Sequence, residues 1–149
     1  MVSSAYASYA MQRMDRLYTI MKGRDVPKWI GMPEHYGFVD HRDLPAQYLI
    51  VQKINSGITI QDLLDYPDQP DDSPRKQLIL KTLGPLDESK IDHINNDFKN
   101  MREIITAAVE HAGQSPKDYI VDWHAANVLY EKQPYPIAGR RYKLWLIDQ

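Results

Sequence analysis

Asp122, Asn127 and Asp148 are the residues whose types and spacing could carry out chemistry. Asn127 follows Asp122 by five positions, and Asp148 comes after a further stretch of strand-like residues. Carboxylate and amide oxygens are the ligands that Mg²⁺ takes in proteins, and a positioned carboxylate can accept the proton of a hydroxyl. Phosphoryl transfer to a hydroxyl requires both kinds of group. We therefore interpret Asp122 as a candidate base and Asn127 and Asp148 as candidate ligands of Mg²⁺.

The stretch between Asn127 and Asp148 is expected to form a β-hairpin. Residues 127–131 and 141–147 are rich in β-branched and aromatic side chains, and a loop with prolines and a glycine, residues 134–139, separates them. A hairpin would return the chain to its starting point, so residues far apart in sequence could share one ion. Because two neighbouring carboxylates repel each other unless a cation lies between them, this placement predicts a metal site.

The elements upstream follow from the spacing of apolar side chains. These recur every three or four positions over residues 3–22 and again over residues 91–112, which predicts two amphipathic helices. A buried strand over residues 48–54, a polar break and a short helix over residues 58–64 follow one another in that order. The other segments are interpreted as short strands within residues 26–31 and 36–39, a hairpin loop at 41–45, a solvated loop at 65–74 and a helix at 75–83.

The composition limits the class of protein. A chain of 149 residues with 43% apolar and 26% charged residues is typical of one globular domain. The absence of cysteine excludes thiolate zinc sites, iron–sulfur clusters and a cysteine nucleophile. A net charge of −2 gives no basic balance, so we expect no nucleic-acid partner. Neither a signal-peptide pattern nor an apolar span of about 18 residues occurs, so we expect no membrane partner and a cytoplasmic location.

The segment 122–129, with the sequence DWHAANVL, and the later Leu146-Ile147-Asp148 together resemble the catalytic loop and metal-binding aspartate of the protein kinase-like superfamily. A histidine two residues after the first Asp favours the branch of aminoglycoside and small-molecule kinases. The resemblance implies an α+β, truncated protein kinase-like fold in a single domain over residues 1–149. Residues 1–54 would form a partial N-lobe and residues 55–149 a partial C-lobe.

The resemblance also implies roles for individual residues and elements. Asp122 would be the catalytic base and Asn127 and Asp148 the metal ligands, with ATP and Mg²⁺ as cofactors. The first helix would correspond to the αC helix of the family, and residues 91–112 to the long helix that supports the catalytic loop. The backbone of a hinge would face the adenine of ATP, and its residues are Gln52, Lys53, Ile54 and Asn55.

The sequence departs from the family pattern at several points, and two of them bear on catalysis most directly. Ile120 takes the place of a histidine, and no Gly-rich phosphate loop or strand with a phosphate-pairing lysine comes before the first helix. Lys22, Lys28 and Lys53 are candidate substitutes for that lysine. We expect a phosphotransferase that transfers phosphate from Mg-ATP to a hydroxyl. The alternative is a catalytically impaired, pseudokinase-like interaction protein, and exposed apolar surface would suit a protein partner or a homodimer.

His124, Arg140 and Arg141 are accessory candidates. His124 could ligate a metal or carry a proton, although a histidine that braces a loop through a backbone hydrogen bond is the commoner case. The two arginines could clamp a phosphate, although a solvated turn is commoner. Trp123 and Trp145 are expected to pack in the core or cleft. The remaining histidines lack the spacing of metal ligands and are expected at the surface: His35, His41, His93 and His111.

Overall fold

The computed structural model describes residues 4–40 and 47–147 and has a mixed α+β fold. The predicted hairpin loop at residues 41–45 lies outside this part of the chain. The α-helices and strands in chain order are α1 (Ser4–Met21), β1 (Ile30–Gly31), β2 (His35–Asp40), β3 (Gln47–Val51), α2 (Ile60–Asp65), α3 (Pro74–Leu83), α4 (Glu88–His111), β4 (Val128–Ile137) and β5 (Arg140–Leu146).

All the helices predicted from apolar periodicity are confirmed, with small shifts at their ends. The shifts follow from the capping residues. Thr59 caps α2 by accepting the backbone N–H of Asp62, whose carboxylate accepts the N–H of Thr59 in return. Asp87 caps α4 by accepting the N–H of Lys90 at 2.7 Å, so this helix begins a few residues before the predicted boundary.

The strands form two sheets. In the three-stranded sheet the order is β1-β5-β4, with β1 parallel and β4 antiparallel to β5, and β2 and β3 pair antiparallel by themselves. The predicted hairpin of β4 and β5 is confirmed, but the loop predicted over residues 134–139 was too long, because Pro134, Tyr135 and Pro136 lie within β4. These residues fall where the register slips, between Lys132 and Ile137, so a proline there removes no ladder hydrogen bond.

The turn of the hairpin consists of Ala138 and Gly139. Both have positive φ, 50° and 80°. Two consecutive positive φ values are what a tight two-residue hairpin turn requires, because its twist then matches the twist of the strands. The chain therefore reverses over these two residues, between Ile137 and Arg140, rather than over the prolines.

One hydrophobic core runs through the described residues, from Leu17 in α1 to Leu146 in β5. Helix α4 crosses it, and its Met101, Ile105 and Val109 are fully buried. No helix of the described residues is long and apolar enough to cross a membrane. The loop predicted to be solvated, residues 65–74, is only partly exposed to solvent, because its Tyr66 is buried.

His35 is buried, which corrects the prediction that it lies at the surface. Its Nε2 lies 2.6 Å from Oδ1 of Asp15 in α1, and the edge of the Tyr18 ring packs against it with centroids 5.8 Å apart. A buried imidazole needs a polar partner, and α1 supplies the partner from a distant part of the sequence. His93 and His111 are exposed, as predicted.

Candidate functional site

The candidate catalytic loop leads into β4 through a short 3-10 turn, Ala125–Asn127. His124 caps this turn, because its Nδ1 accepts the backbone N–H of Ala126 at 3.4 Å. The backbone N–H of Asn127 donates to the carbonyl of His124 at 2.9 Å and closes the turn. The expectation of a loop-bracing His124 is thereby confirmed, and the loop has a defined shape.

Asp122 and Asn127 are brought together by this turn. Nδ2 of Asn127 donates to Oδ2 of Asp122 at 3.0 Å and to its backbone carbonyl at 3.2 Å. Because the NH₂ group of the amide faces Asp122, the amide oxygen of Asn127 faces the other way. Asp122 is exposed and Asn127 is half-buried, so a ligand from solvent can reach this side chain pair.

The hairpin returns the chain to Asn127. The backbone N–H of Ile147 donates to the carbonyl of Asn127 at 2.9 Å, and Val128 is paired with Leu146. Asp148, the next residue in the sequence, lies outside the described residues. Within the part that the structure describes, no group of three or more acidic or histidine side chains could hold a metal ion. A metal site shared by Asn127 and Asp148 therefore stays a prediction.

The hinge predicted to face adenine is hydrogen-bonded to the protein at both of its ends. The backbone N–H of Asn55 donates to Oε2 of Glu131 at 3.2 Å, and that of Gln52 donates to the carbonyl of Glu34 at 2.6 Å. Just beyond the hinge, the N–H of Tyr130 in β4 donates to the carbonyl of Ile58 at 2.8 Å. Two of the four hinge N–H groups expected to face adenine are thus already hydrogen-bonded within the protein.

One face of the β4–β5 hairpin points away from the core and carries a polar cluster that sequence reasoning missed. The cross-strand partners Glu131 and Lys143 lie on this face, with Leu129 and Trp145. The carboxylate of Glu131 accepts from Nε1 of Trp145 at 3.3 Å and from Nε2 of Gln133 at 2.7 Å. The alternation of the two strands was the signal available in the sequence, because Val128, Leu144 and Leu146 occupy the opposite, buried face.

Lys143 is the cation of this cluster. Its Nζ lies 4.1 Å from the centroid of the Trp145 ring. Burial lowers the pKa of Lys143, and the negative charge of Glu131 opposes that change only in part. The lysines considered from the sequence, Lys22, Lys28 and Lys53, are all exposed, whereas Lys143 is half-buried.

Arg140 has a structural partner, which corrects the interpretation that it lies in a solvated turn; its role as a phosphate clamp stays a prediction. Its Nε and Nη2 donate to the two carboxylate oxygens of Asp97 at 2.6 and 3.0 Å, and Nη1 donates to the carbonyl of Ala138 at 3.3 Å. Its guanidinium also lies over the ring of Trp29, 4.2 Å from the centroid. Three of the five N–H donors of Arg140 are thus used within the protein, so its side chain is fixed by Asp97 rather than free in a solvated turn. Arg141 is exposed.

Asp97 is the buried carboxylate that anchors this pair. It is only 4% exposed and also accepts a hydrogen bond from the hydroxyl of Tyr142. Burial raises the pKa of Asp97, but the hydrogen bonds from Arg140 and Tyr142 and the charge of Arg140 outweigh it, so the net shift is downward. The ionised carboxylate therefore ties α4 to the hairpin.

No protein-family model, curated protein or solved structure matches the chain. The side chains and their geometry are therefore the only support for a function. The likeness of residues 122–129 to a kinase catalytic loop remains an expectation from the sequence.

Proposed function

We propose that the chain is a kinase-like phosphotransferase core, with a truncated protein kinase-like fold, that binds Mg-ATP and transfers phosphate to a hydroxyl. The observation that supports this most directly is the geometry at Asn127. Its side chain is held by Asp122, and its backbone carbonyl is joined to Ile147, the residue before Asp148. Asp122, Asn127 and Ile147, which are spread over the sequence, thus meet at one end of the hairpin.

Each residue has a role that its contacts fit. Asp122 is the base for the acceptor hydroxyl, and the hydrogen bond from Asn127 fixes the position of its carboxylate, as general-base catalysis requires. The amide oxygen of Asn127, turned away from Asp122, is a suitable ligand for a hard cation, and Asp148 supplies the carboxylate. When bound, Mg²⁺ would neutralise charge on the phosphates.

The second candidate is a pseudokinase-like interaction protein, and the hinge favours it. Adenine recognition by a hinge depends on backbone N–H groups, and those of Gln52 and Asn55 already donate to Glu34 and Glu131. A nucleotide would have to use the remaining N–H groups of the hinge or displace the carboxylate of Glu131. If a nucleotide does neither, the candidate catalytic loop, residues 122–129, would have a structural role in a protein that binds a partner.

Thermal unfolding with Mg²⁺, ATP and Mg-ATP tests nucleotide binding. A ligand at 100 times its Kd stabilises the folded state by about 2.7 kcal/mol, which raises the Tm of a chain of this size by roughly 5 to 10 °C. We expect this rise for the wild type with Mg-ATP and a much smaller one for Asp148→Ala. Asp118→Ala, which removes an exposed carboxylate just before the loop, is the matched control and should behave as the wild type does.

Transfer of labelled phosphate to a hydroxyl acceptor then separates the two candidates. The enzyme loses transfer in Asp122→Asn but keeps the rise in Tm with Mg-ATP. A wild type that Mg-ATP does not stabilise excludes the phosphotransferase. A wild type that binds Mg-ATP but transfers no phosphate to any hydroxyl offered, including its own, supports the pseudokinase-like alternative.

A further inference from the structure

A pocket with a volume of about 530 Å³ lies between the C-terminal end of α1, residues 26–34 and strand β5. Its volume is within the range of pockets that bind small molecules. The apolar part of its wall includes Ile30 and Met32. The polar part includes Gln52 and Glu34. The backbone N–H of Glu34 donates to Oε1 of Gln52 at 3.1 Å.

Three lysines line this pocket, against one carboxylate. The lysines are Lys22, Lys28 and Lys143, and the carboxylate belongs to Glu34. Lys22 and Lys28 are exposed and reach the pocket from its rim, whereas Lys143 is half-buried. Nζ of Lys22 lies 5.0 Å from the centroid of the Tyr18 ring, which limits where its ammonium group can go. The excess of positive charge among the lining residues suits an anionic ligand.

Gly31 makes room for Lys143. A Cβ at this position would lie 2.5 Å from Cε of Lys143, closer than carbon atoms approach, and 3.0 Å from the Trp145 ring, a tight contact. Because Gly31 has no side chain, the aliphatic part of the Lys143 side chain can lie over this position, beside the ring of Trp145. Burial lowers the pKa of Lys143 and the charge of Glu131 opposes this only in part, so a further anion beside the ammonium group would favour its charged form.

We propose that this pocket binds the phosphate group of a small phosphorylated metabolite, with Lys143, Lys22 and Lys28 as the phosphate contacts and the apolar wall against the rest of the molecule. Compact ammonium groups are common ligands of phosphate. The site is separate from the proposed metal site. Lys143 is four residues before Ile147 on an extended strand, which places it roughly 13 Å away along the hairpin. The pocket shares Gln52, Lys22 and Lys28 with the residues considered for ATP, but the proposal assigns it a different ligand and does not require the metal site.

The test is a titration of the ¹⁵N-labelled full chain, followed by NMR. The ligands are a hexose phosphate, inorganic phosphate and the neutral hexose. We expect the hexose phosphate to shift the indole N–H of Trp145 and the amide of Gly31, inorganic phosphate to do so more weakly, and the neutral hexose to shift neither. Lys143→Met keeps an unbranched side chain without the charge and should raise the Kd at least tenfold. Lys99→Met removes an exposed lysine of α4 and should change it less than twofold.

Gly31→Ala is the second variant, because it retains every charge but displaces the end of the Lys143 side chain. It should raise the Kd for the hexose phosphate as Lys143→Met does. If Lys143→Met does not fold, Gly31→Ala and Lys28→Met together test whether the pocket binds the phosphate. Asn127→Ala changes the proposed metal site but should leave the Kd for the hexose phosphate unchanged. The result therefore distinguishes a wrong assignment of the phosphotransferase from a wrong assignment of this pocket. Equal weakening by Lys99→Met, or no shift at Trp145 with the hexose phosphate, would overturn the proposal. Binding of inorganic phosphate alone would overturn the choice of a metabolite.

Discussion

Asn127 is the residue on which the proposed metal site depends, because both ends of its amide have a role. The nitrogen donates to Asp122, and the oxygen is thereby directed elsewhere. An aspartate at this position would have two oxygens and no donor. It would offer more charge to a cation but would no longer hold Asp122.

Asn127→Asp should therefore make stability depend on Mg²⁺. Without a divalent cation, the second carboxylate close to Asp122 should lower the free energy of unfolding by about 1 kcal/mol, the scale of two like charges near 4 Å in water. Mg²⁺ should restore most of this loss, and urea unfolding with and without MgCl₂ measures it. Asn100→Asp, on the exposed face of α4, is the control and should show no such dependence. If Mg²⁺ has the same effect on both variants, no cation binds at Asn127.

At the scale of elements, the contact between α4 and the hairpin decides how the candidate loop is supported. Asp97 lies within the buried face of α4, three residues after Ile94 and four before Met101. It receives both hydrogen bonds of a bidentate arginine pair from Arg140, at the start of β5. The loop that carries Asp122 lies in the chain between these two elements.

Asp97→Asn should destabilise the protein by about 3 kcal/mol, because it removes one charge of a largely buried pair. The pKa of Asp97 is lowered in the folded state, so its stabilisation is complete above the unfolded value of about 3.9 and is lost as the pH falls through the folded value. Stability of the wild type should thus fall below about pH 4 more steeply than that of Asp97→Asn. Urea unfolding between pH 2.5 and 7 measures both effects. Asp92→Asn changes an exposed carboxylate on the same helix, so its free energy of unfolding should fall below pH 4 as steeply as that of the wild type. If the free energy of unfolding falls equally steeply in the wild type and Asp97→Asn, the assignment of this pH dependence to Asp97 is contradicted.

The turn between β4 and β5 offers a stabilising change. Ala138 has a φ of 50°, a conformation that costs an alanine roughly 1 kcal/mol and that asparagine adopts more readily. Ala138→Asn should raise the free energy of unfolding by about 0.5 to 1 kcal/mol, as measured by urea unfolding. Ala138→Val should lower it, because a β-branched residue is disfavoured at positive φ. If both variants change stability in the same direction, the backbone of the turn is not the cause.

The elements were predictable where a local pattern defines them, and the contacts between elements were not. Helix α4 followed from apolar spacing, because one buried stripe fixes its orientation and most of its length, although the cap at Asp87 sets its first residue. The loop of the hairpin was predicted too long because Pro134 and Pro136 are strong local turn signals, and only the register of the strands shows that they lie inside β4. The proximity of Asp122 and Asn127 could be inferred from their spacing.

The pairs that could not be foreseen join residues far apart in sequence. Asp97 with Arg140 and His35 with Asp15 are both such pairs. Asp97 did carry a signal, since a carboxylate on the apolar stripe of a helix must find a buried partner. Nothing local to the sequence, however, says that the partner is Arg140 rather than another cation. The same limit applies to Lys143, whose setting depends on Gly31 from another strand.

At the scale of the whole molecule, the residues assigned from the sequence to two partial lobes share one core. Strand β1, from the first 54 residues, pairs with β5 from the remainder, and Trp29 lies under Arg140. Leu17 of α1 and Met101 of α4 belong to the same buried cluster. A continuous core of this kind favours a single cooperative transition, because neither part can open without exposing the buried surface of the other.

Leu17→Ala and Met101→Ala should therefore each lower the midpoint of the same single unfolding transition. Each removes a buried side chain and should cost about 2 to 5 kcal/mol, with an unchanged dependence on urea concentration. Tryptophan fluorescence and far-UV circular dichroism should give coincident curves for the wild type and both variants, since the three tryptophans, Trp29, Trp123 and Trp145, come from both parts of the chain. Leu78→Ala, at a position that is 40% exposed, is the control and should cost less than about 1 kcal/mol. If Leu17→Ala instead splits the curve into two steps while Met101→Ala does not, the N-terminal residues form a unit that unfolds separately, and the two partial lobes are distinct in stability as well as in sequence.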